Sequence, residues 1–255
     1  MIISICNNKG GVGKTTITAN LAHALANKGK KVLVIDNDPQ GNTTSIMLGE
    51  TIEPSVTLRD AYGDGVTPTI YPTQYENVSL IANETATASL EPVLYGDLRE
   101  AYHLLNDIIK DITGNYDYVL IDSPPNLGLF VIMSLVASDA AIIPLVSSSR
   151  FSIEGFVAAY DAIKAVSDNF NPRLKFLRAV INRVDKRTSV SKLSIEHIRQ
   201  HFGSRVFETT IPHTTDIEAA EQSQLTVIRW KPQSGVSKRF RALAEELIDL
   251  IDPVV

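Results

Sequence analysis

A single cysteine, Cys6, in 255 residues leaves no partner for an internal disulfide and too few thiols for a multi-cysteine zinc or iron–sulfur site. The expected compartment is therefore a reducing cytosol. Long apolar runs are equally scarce. The longest, Ala140 to Val146, contains Pro144 and falls far short of the roughly 18 residues a membrane span needs. The apolar start Met1 to Cys6 has no basic lead and runs straight into Asn7, Asn8 and Lys9, so it does not read as a signal peptide. No repeat, low-complexity tract or Pro/Gly/Ser-rich linker divides the chain, and one domain over 1–255 is expected. The net charge of −5, from 24 basic and 29 acidic residues, argues weakly against nucleic acid as a partner when taken alone.

What the chain does have is alternation. Short runs rich in Ile and Val recur at Ile2–Cys6, Lys31–Ile35, Val78–Ile81, Tyr118–Ile121, Ala140–Leu145, Leu174–Ile181 and Val206–Thr210. Amphipathic stretches near 15–28, 88–112, 128–137, 152–168, 190–201, 215–222 and 236–251 lie between them. Strands that alternate with helices predict an α/β fold, a mostly parallel twisted sheet of about 7–8 strands. Nearly continuous apolar strands such as Val32-Leu33-Val34-Ile35 imply helices on both faces. Gly41 to Tyr75, with many Thr, Pro and Gly residues, reads as surface loops with a short helix near Leu58–Tyr62.

Directly after the first strand stands Lys9-Gly10-Gly11-Val12-Gly13-Lys14-Thr15-Thr16, and a helical pattern follows at once. Glycines let backbone N–H groups turn toward a phosphate chain, and the helix N-terminus adds positive potential. Lys14 has the reach for β- and γ-phosphates, and the Thr15 hydroxyl suits Mg²⁺. The ordinary phosphate-loop pattern asks for glycine five residues before Gly13, where this chain has Asn8, and a second lysine stands five residues before Lys14. A carboxylate ends the later run Val119-Leu120-Ile121-Asp122, and Asp36-Asn37-Asp38 follows the second strand. In extended geometry Asp36 and Asp38 would point the same way.

This loop resembles the deviant phosphate loop, or deviant Walker A motif, of the ParA/MinD family of ATPases. Matches in family order are Asp36-Asn37-Asp38-Pro39-Gln40-Gly41-Asn42, Tyr118 to Pro125, Ala179 to Arg183, the Ile211-Pro212 pair and the closing Leu243-Ala244-Glu245-Glu246 helix. The resemblance covers nearly the whole chain and implies a P-loop fold with ATP and Mg²⁺ as cofactors. It implies that Gly10 to Thr16 cradle the phosphates, that Thr15, Asp36 and Asp122 hold the hydrated metal, and that Asp38 positions the attacking water. Lys9 would cross to the ATP of a second copy, so that dimerisation depends on ATP, as arginine fingers act in trans elsewhere. Asn182 and Pro212 would line the adenine. Residues 39–42 and 123–128 would serve as nucleotide-sensing switches.

The net charge is unevenly spread. Residues 173–205 and 229–241 hold fourteen basic residues against two acids, +12, and the remainder carries −17. The ParA resemblance turns this into an expected non-specific DNA face of Arg183, Lys186, Arg187, Lys192, Arg199 and the 229–241 segment. His213 stands where the family often has arginine. A ParB-like or adaptor protein would stimulate hydrolysis and link the switch to a cargo, and the first strand at Ile2 leaves no room for an N-terminal helix-turn-helix repressor. A MinD-like membrane regulator is the alternative. It would need a basic amphipathic tail, and Leu243 to Val255 carries Glu245, Glu246, Asp249 and Asp252 with no basic residue, so no membrane partner is expected. Relatives of the nitrogenase iron protein are excluded by the lone cysteine. The five histidines show no metal spacing, and the His197/His201 pair reads as surface residues.

Overall fold

A computed structural model describes residues 1–147, 152–185 and 187–252. Eight strands form one sheet: β1 (Ile2–Ile5), β2 (Val32–Asp36), β3 (Ile70–Pro72), β4 (Val78–Ile81), β5 (Tyr118–Asp122), β6 (Ala140–Val146), β7 (Lys175–Val184) and β8 (Val206–Pro212). Their order is β3-β4-β2-β5-β1-β6-β7-β8, and every neighbouring pair is parallel except β3 with β4.

The helices are α1 (Lys14–Ala26), α2 (Asn42–Leu48), α3 (Leu58–Asp64), α4 (Glu91–Leu94), α5 (Leu98–Ile109), α6 (Leu129–Val136), α7 (Ser152–Asn169), α8 (Ser189–Phe202), α9 (Thr215–Gln222), α10 (Val227–Trp230) and α11 (Gly235–Ile251). They cover both faces, as β2 makes plain. Val32 and Val34 join the cluster of Leu21, Leu25, Phe240 and Leu243 from α1 and α11, while Leu33 and Ile35 join Leu105, Ile109 and Met133 from α5 and α6. A strand buried on both sides must be apolar at every position, which is why its sequence shows no alternation.

Two expectations are corrected. The stretch 88–112 is not one helix: α4 and α5 are separated by Tyr95-Gly96-Asp97, and the Asp97 carboxylate caps α5 by accepting from the Glu100 N–H at 3.2 Å. Residues 41–75 are more than loops around α3, since they also build α2 and the edge strand β3. The four-residue α10 was not foreseen either. Cys6 is buried at the end of β1, where desolvation pushes its thiol up to about 12 and keeps it neutral.

Parallel order brings the carboxyl ends of β1, β2, β5 and β7 to one rim of the sheet, where ligands of open α/β folds bind.

Candidate active site

The loop after β1 turns through Gly11 at φ 71° and Gly13 at φ 94° before α1 begins at Lys14. Gly13 is required twice over: its backbone is left-handed, and a Cβ there would lie 2.1 Å from Asn182 Nδ2. That amide donates to the Val12 carbonyl at 2.8 Å, while its oxygen accepts from the Arg183 N–H at 2.8 Å. Asn182, near the end of β7, thus braces the loop from behind with its amide nitrogen, while its oxygen is held by the next residue of its own strand. Asn7, which the motif did not flag, braces the other end. Its amide donates to the Pro144 carbonyl at 2.7 Å and its oxygen accepts from the Lys9 N–H at 3.0 Å.

The loop opens on a cleft of about 440 Å³ lined by Gly10, Gly11, Gly13, Lys14, Thr15 and Thr16 on one side and by Asp38, Gln40, Asn42, Ser45, Ile46 and Pro125 on the other. Lys14 is 6% exposed, and its ammonium caps the loop by donating to the Lys9 carbonyl at 3.1 Å. Burial lowers its proton affinity, against the opposing pull of Asp122 and Asp38. The Lys9 side chain runs past Gly155 of α7, where an added Cβ would come within 3.2 Å of Lys9 Cδ.

Three carboxylates gather at and behind the cleft, in different settings. Asp122, fully buried at the end of β5, accepts from the Thr15 hydroxyl and from the Thr43 hydroxyl, each at 2.7 Å. Asp36 pairs in register with Asp122 across β2 and β5. It is also fully buried, and one of its oxygens accepts from both the Thr44 N–H and the Thr44 hydroxyl at 2.7 Å. Burial raises the proton affinity of both acids, and for Asp36 the neighbouring Asp122 adds to the effect. Asp38 does not run alongside Asp36 as an extended pair would. The backbone turns, so that the Asp38 N–H donates to Asp36 Oδ1 at 3.2 Å, and of the two acids only Asp38 lines the cleft.

A narrow slot continues from the cleft, lined by Asn182, Pro212, His213, Thr214, Ile217 and Glu218, with Thr16, Arg183 and Glu221 shared between the two. Glu221 of α9 accepts a hydrogen bond from the Thr16 hydroxyl. Its contribution was not legible, because α9 reaches the loop only through tertiary packing.

Among the described residues the basic side chains line more than one depression. Arg183, expected on a DNA face, instead lines the cleft and the slot, with its backbone at φ 53°. The α8 and α11 segments do converge: Lys192, Arg199 and Arg239 line one groove with Glu196 and Glu208. Arg187 is chelated by Asp185 at 2.9 Å through two nitrogens, which holds the Asp185 carboxyl at about 2, and Arg178 pairs with Glu246 at 3.1 Å. Lys186 lies outside the described residues. Among the described residues no group of three or more His, Cys, Asp or Glu side chains could hold a metal ion, and no helix is long and apolar enough to cross a membrane.

Comparison with known proteins agrees with this geometry. The family model described as an AAA domain matches residues 1–176. The chromosome partitioning protein ParA of Caulobacter vibrioides is 34% identical over 252 residues, which cover 97% of this chain and 93% of that one. The cobyrinic acid a,c-diamide synthase of Mycobacterium smegmatis, solved with bound ADP and magnesium, superposes with a TM-score of 0.82 at 26% identity, covering 97% of this chain and 94% of the other. The cell division ATPase MinD of Pyrococcus furiosus superposes with a TM-score of 0.79 at 29% identity over 98% of both chains. A phosphate loop with a second lysine, at the carboxyl rim of a parallel sheet and beside buried aspartates, thus stands in a chain that belongs to the ParA/MinD family of P-loop ATPases, enzymes that work on ATP and Mg²⁺.

Proposed function

We propose that this chain is a ParA-type partition or positioning switch. Mg²⁺–ATP enters the cleft, two copies close face to face on their nucleotides, and the pair holds DNA without sequence preference. A ParB-like or adaptor protein then stimulates hydrolysis and releases it. The cargo is a plasmid or chromosome, or a protein body such as a carboxysome.

The observation that carries the reading is the 2.7 Å contact between the Thr15 hydroxyl and the Asp122 carboxylate. These are two of the three oxygen donors expected to hold Mg²⁺, Thr15 directly and Asp122 through water, and they meet beside a loop that offers N–H groups to phosphates. The donor set fits the metal, which when bound neutralises charge on the phosphates. Asp36 supports the same region from behind through Thr44, and that hydrogen-bonding ties α2 to the carboxylates. Lys14 brings its cation to the β- and γ-phosphates. Asp38, with Oδ1 held by the Gln40 N–H at 3.0 Å, orients the attacking water. Lys9 acts on the nucleotide of the second copy. Phosphoryl transfer depends chiefly on such positioning and charge stabilisation.

Two observations bear on partners. The convergence of Lys192, Arg199 and Arg239 on one groove supports a DNA-binding surface. The alternative, a membrane-associated MinD-like regulator, is disfavoured by α11: Val236, Phe240, Leu243 and Leu247 are buried in the core, and Glu245 pairs with Lys28. That helix has no spare apolar face to offer a bilayer.

Replacing Asp38 with alanine should preserve ATP binding and trap the dimer, seen as a shift to twice the mass in size-exclusion chromatography with light scattering. Lys14→Ala should bind no ATP and stay monomeric. Wild-type turnover by the Asp38 variant would sink the assignment.

A further inference from the structure

Trp230, the chain's sole tryptophan, ends α10 with 45% of its area exposed. Its indole N–H makes no hydrogen bond, and its ring meets no other ring or cation among the described residues. The position is nevertheless rigid. Val227 and Ile228, earlier in the same short helix, are buried in the core. The Val227 N–H donates to Asn20 Oδ1 at 2.8 Å, and the Trp230 N–H donates to the Thr226 carbonyl at 2.9 Å. The Ser237 hydroxyl of α11 lies 3.0 Å from the Val227 carbonyl and 2.8 Å from the Lys231 carbonyl, which ties the two helices together. An indole is thus held on a fixed pedestal, with the entropy of ordering it already spent in folding.

Positive charge surrounds it. From Arg229 to Arg241 the chain has five basic residues and no acid. Lys231 is paired with Asp216 at 3.0 Å, but Arg229, Lys238 and Arg239 are exposed and enter none of the ion pairs among the described residues. A flat aromatic face set among cations suits a nucleic-acid strand, with phosphates on the cations and a base on the ring. A duplex has little use for the ring, because each base is already stacked between its neighbours. An unpaired base has a free π-face. The same combination serves at membrane interfaces, but there the indole needs further apolar side chains beside it, and Val227, Ile228, Val236 and Phe240 are all turned into the core.

We infer that Trp230 is a base-stacking platform, which gives the chain a hold on single-stranded DNA beyond its backbone-driven hold on duplex. The inference rests on the DNA reading above. The sole tryptophan is its own probe. With Mg²⁺ and a non-hydrolysable ATP analogue, titrating the full chain with oligothymidylate should quench Trp230 emission, and a duplex of the same length should leave it near its starting value. Fluorescence anisotropy of labelled DNA then compares variants of unchanged thermal melting. Trp230→Ala should weaken single-strand binding about tenfold, the scale of one stacked base, and leave duplex affinity as it was. Trp230→Phe, which keeps a ring, should recover most of the loss. The salt slope should stay the same in both variants, because an indole neutralises no phosphate. Duplex binding with no quenching by oligothymidylate, or with single-strand affinity intact in Trp230→Ala, would overturn the inference and leave the DNA reading standing. Equal losses on both DNA forms would also overturn it, marking the ring as a support for α10. So would an emission change with phosphatidylglycerol vesicles and none with DNA, the mark of a membrane anchor. If neither DNA form binds the wild-type chain, the DNA reading fails first and the stacking inference with it.

Discussion

Gly13 and His23 show how much a single position controls in this chain. At Gly13 the left-handed backbone alone costs an L-residue roughly 1–2 kcal/mol. The Cβ would also drive into an Asn182 amide already fixed on the Val12 carbonyl. Gly13→Ala should therefore displace the loop and weaken ATP binding at least tenfold by isothermal titration calorimetry, with the rest of the fold intact. His23 is a different case, a histidine kept neutral by its surroundings. Its ring lies tilted against that of Tyr75 with centroids 4.4 Å apart, its Nδ1 pairs with the Thr226 hydroxyl at 2.7 Å, and burial, followed by Arg241 and Arg229, lowers its pKa from 6.5 to about 4. A depressed histidine binds protons more readily when unfolded, so its contribution is intact above pH 6.5 and is lost as pH falls toward 4. The loss is on the order of 3 kcal/mol at 1.36 kcal/mol per unit. Urea melts at pH 7, 5 and 4 should show a steeper acid loss for wild type than for His23→Gln; parallel losses would refute the assignment. Lys14, Thr15 and Asp122 were legible because motif chemistry is local. Asn7, Thr44 and Glu221 were not, because their partners are brought in by distant elements.

At the scale of elements, α11 is the buttress of the nucleotide rim although it contributes nothing to the cleft. Phe240, Leu243 and Leu247 pack with Leu21 and Leu25 of α1, the helix that begins at the phosphate loop. Phe240 is fully buried, so Phe240→Ala should cost about 3–5 kcal/mol and lower the melting temperature by several degrees, measured by circular dichroism. The strands were readable because burial on both faces writes them as unbroken apolar runs. The edge strand β3 was not: Ile70-Tyr71-Pro72 is short, and only Tyr71 is buried, so it has neither the run nor the alternation that marks a strand. Likewise α2 has Gly41 at its N-cap and Asn42-Thr43-Thr44 in its first turn, a composition that reads as loop. It is helical because Thr43 and Thr44 anchor it to Asp122 and Asp36.

At the scale of the molecule, the +12 excess that marked the chain's C-terminal part has to be divided by place rather than by sequence. Arg183 belongs to the nucleotide cleft, while Lys192 and Arg239, distant in sequence, share a groove. The two groups should therefore separate experimentally. Each lysine or arginine on a DNA phosphate adds about 0.9 to the slope of log affinity against log salt concentration. Reversing charge in the double variant Lys192→Glu/Arg239→Glu should weaken binding to DNA fragments of unrelated sequence alike and reduce the slope by about 2. Arg183→Ala should instead lower ATP affinity and, once ATP is saturating, leave the DNA salt slope at the wild-type value. Fluorescence anisotropy from 50 to 200 mM salt measures both. A slope unchanged in the double variant would remove DNA from the groove. A slope reduced in Arg183→Ala at saturating ATP would return Arg183 to the DNA face and require the guanidinium to leave the cleft when nucleotide binds.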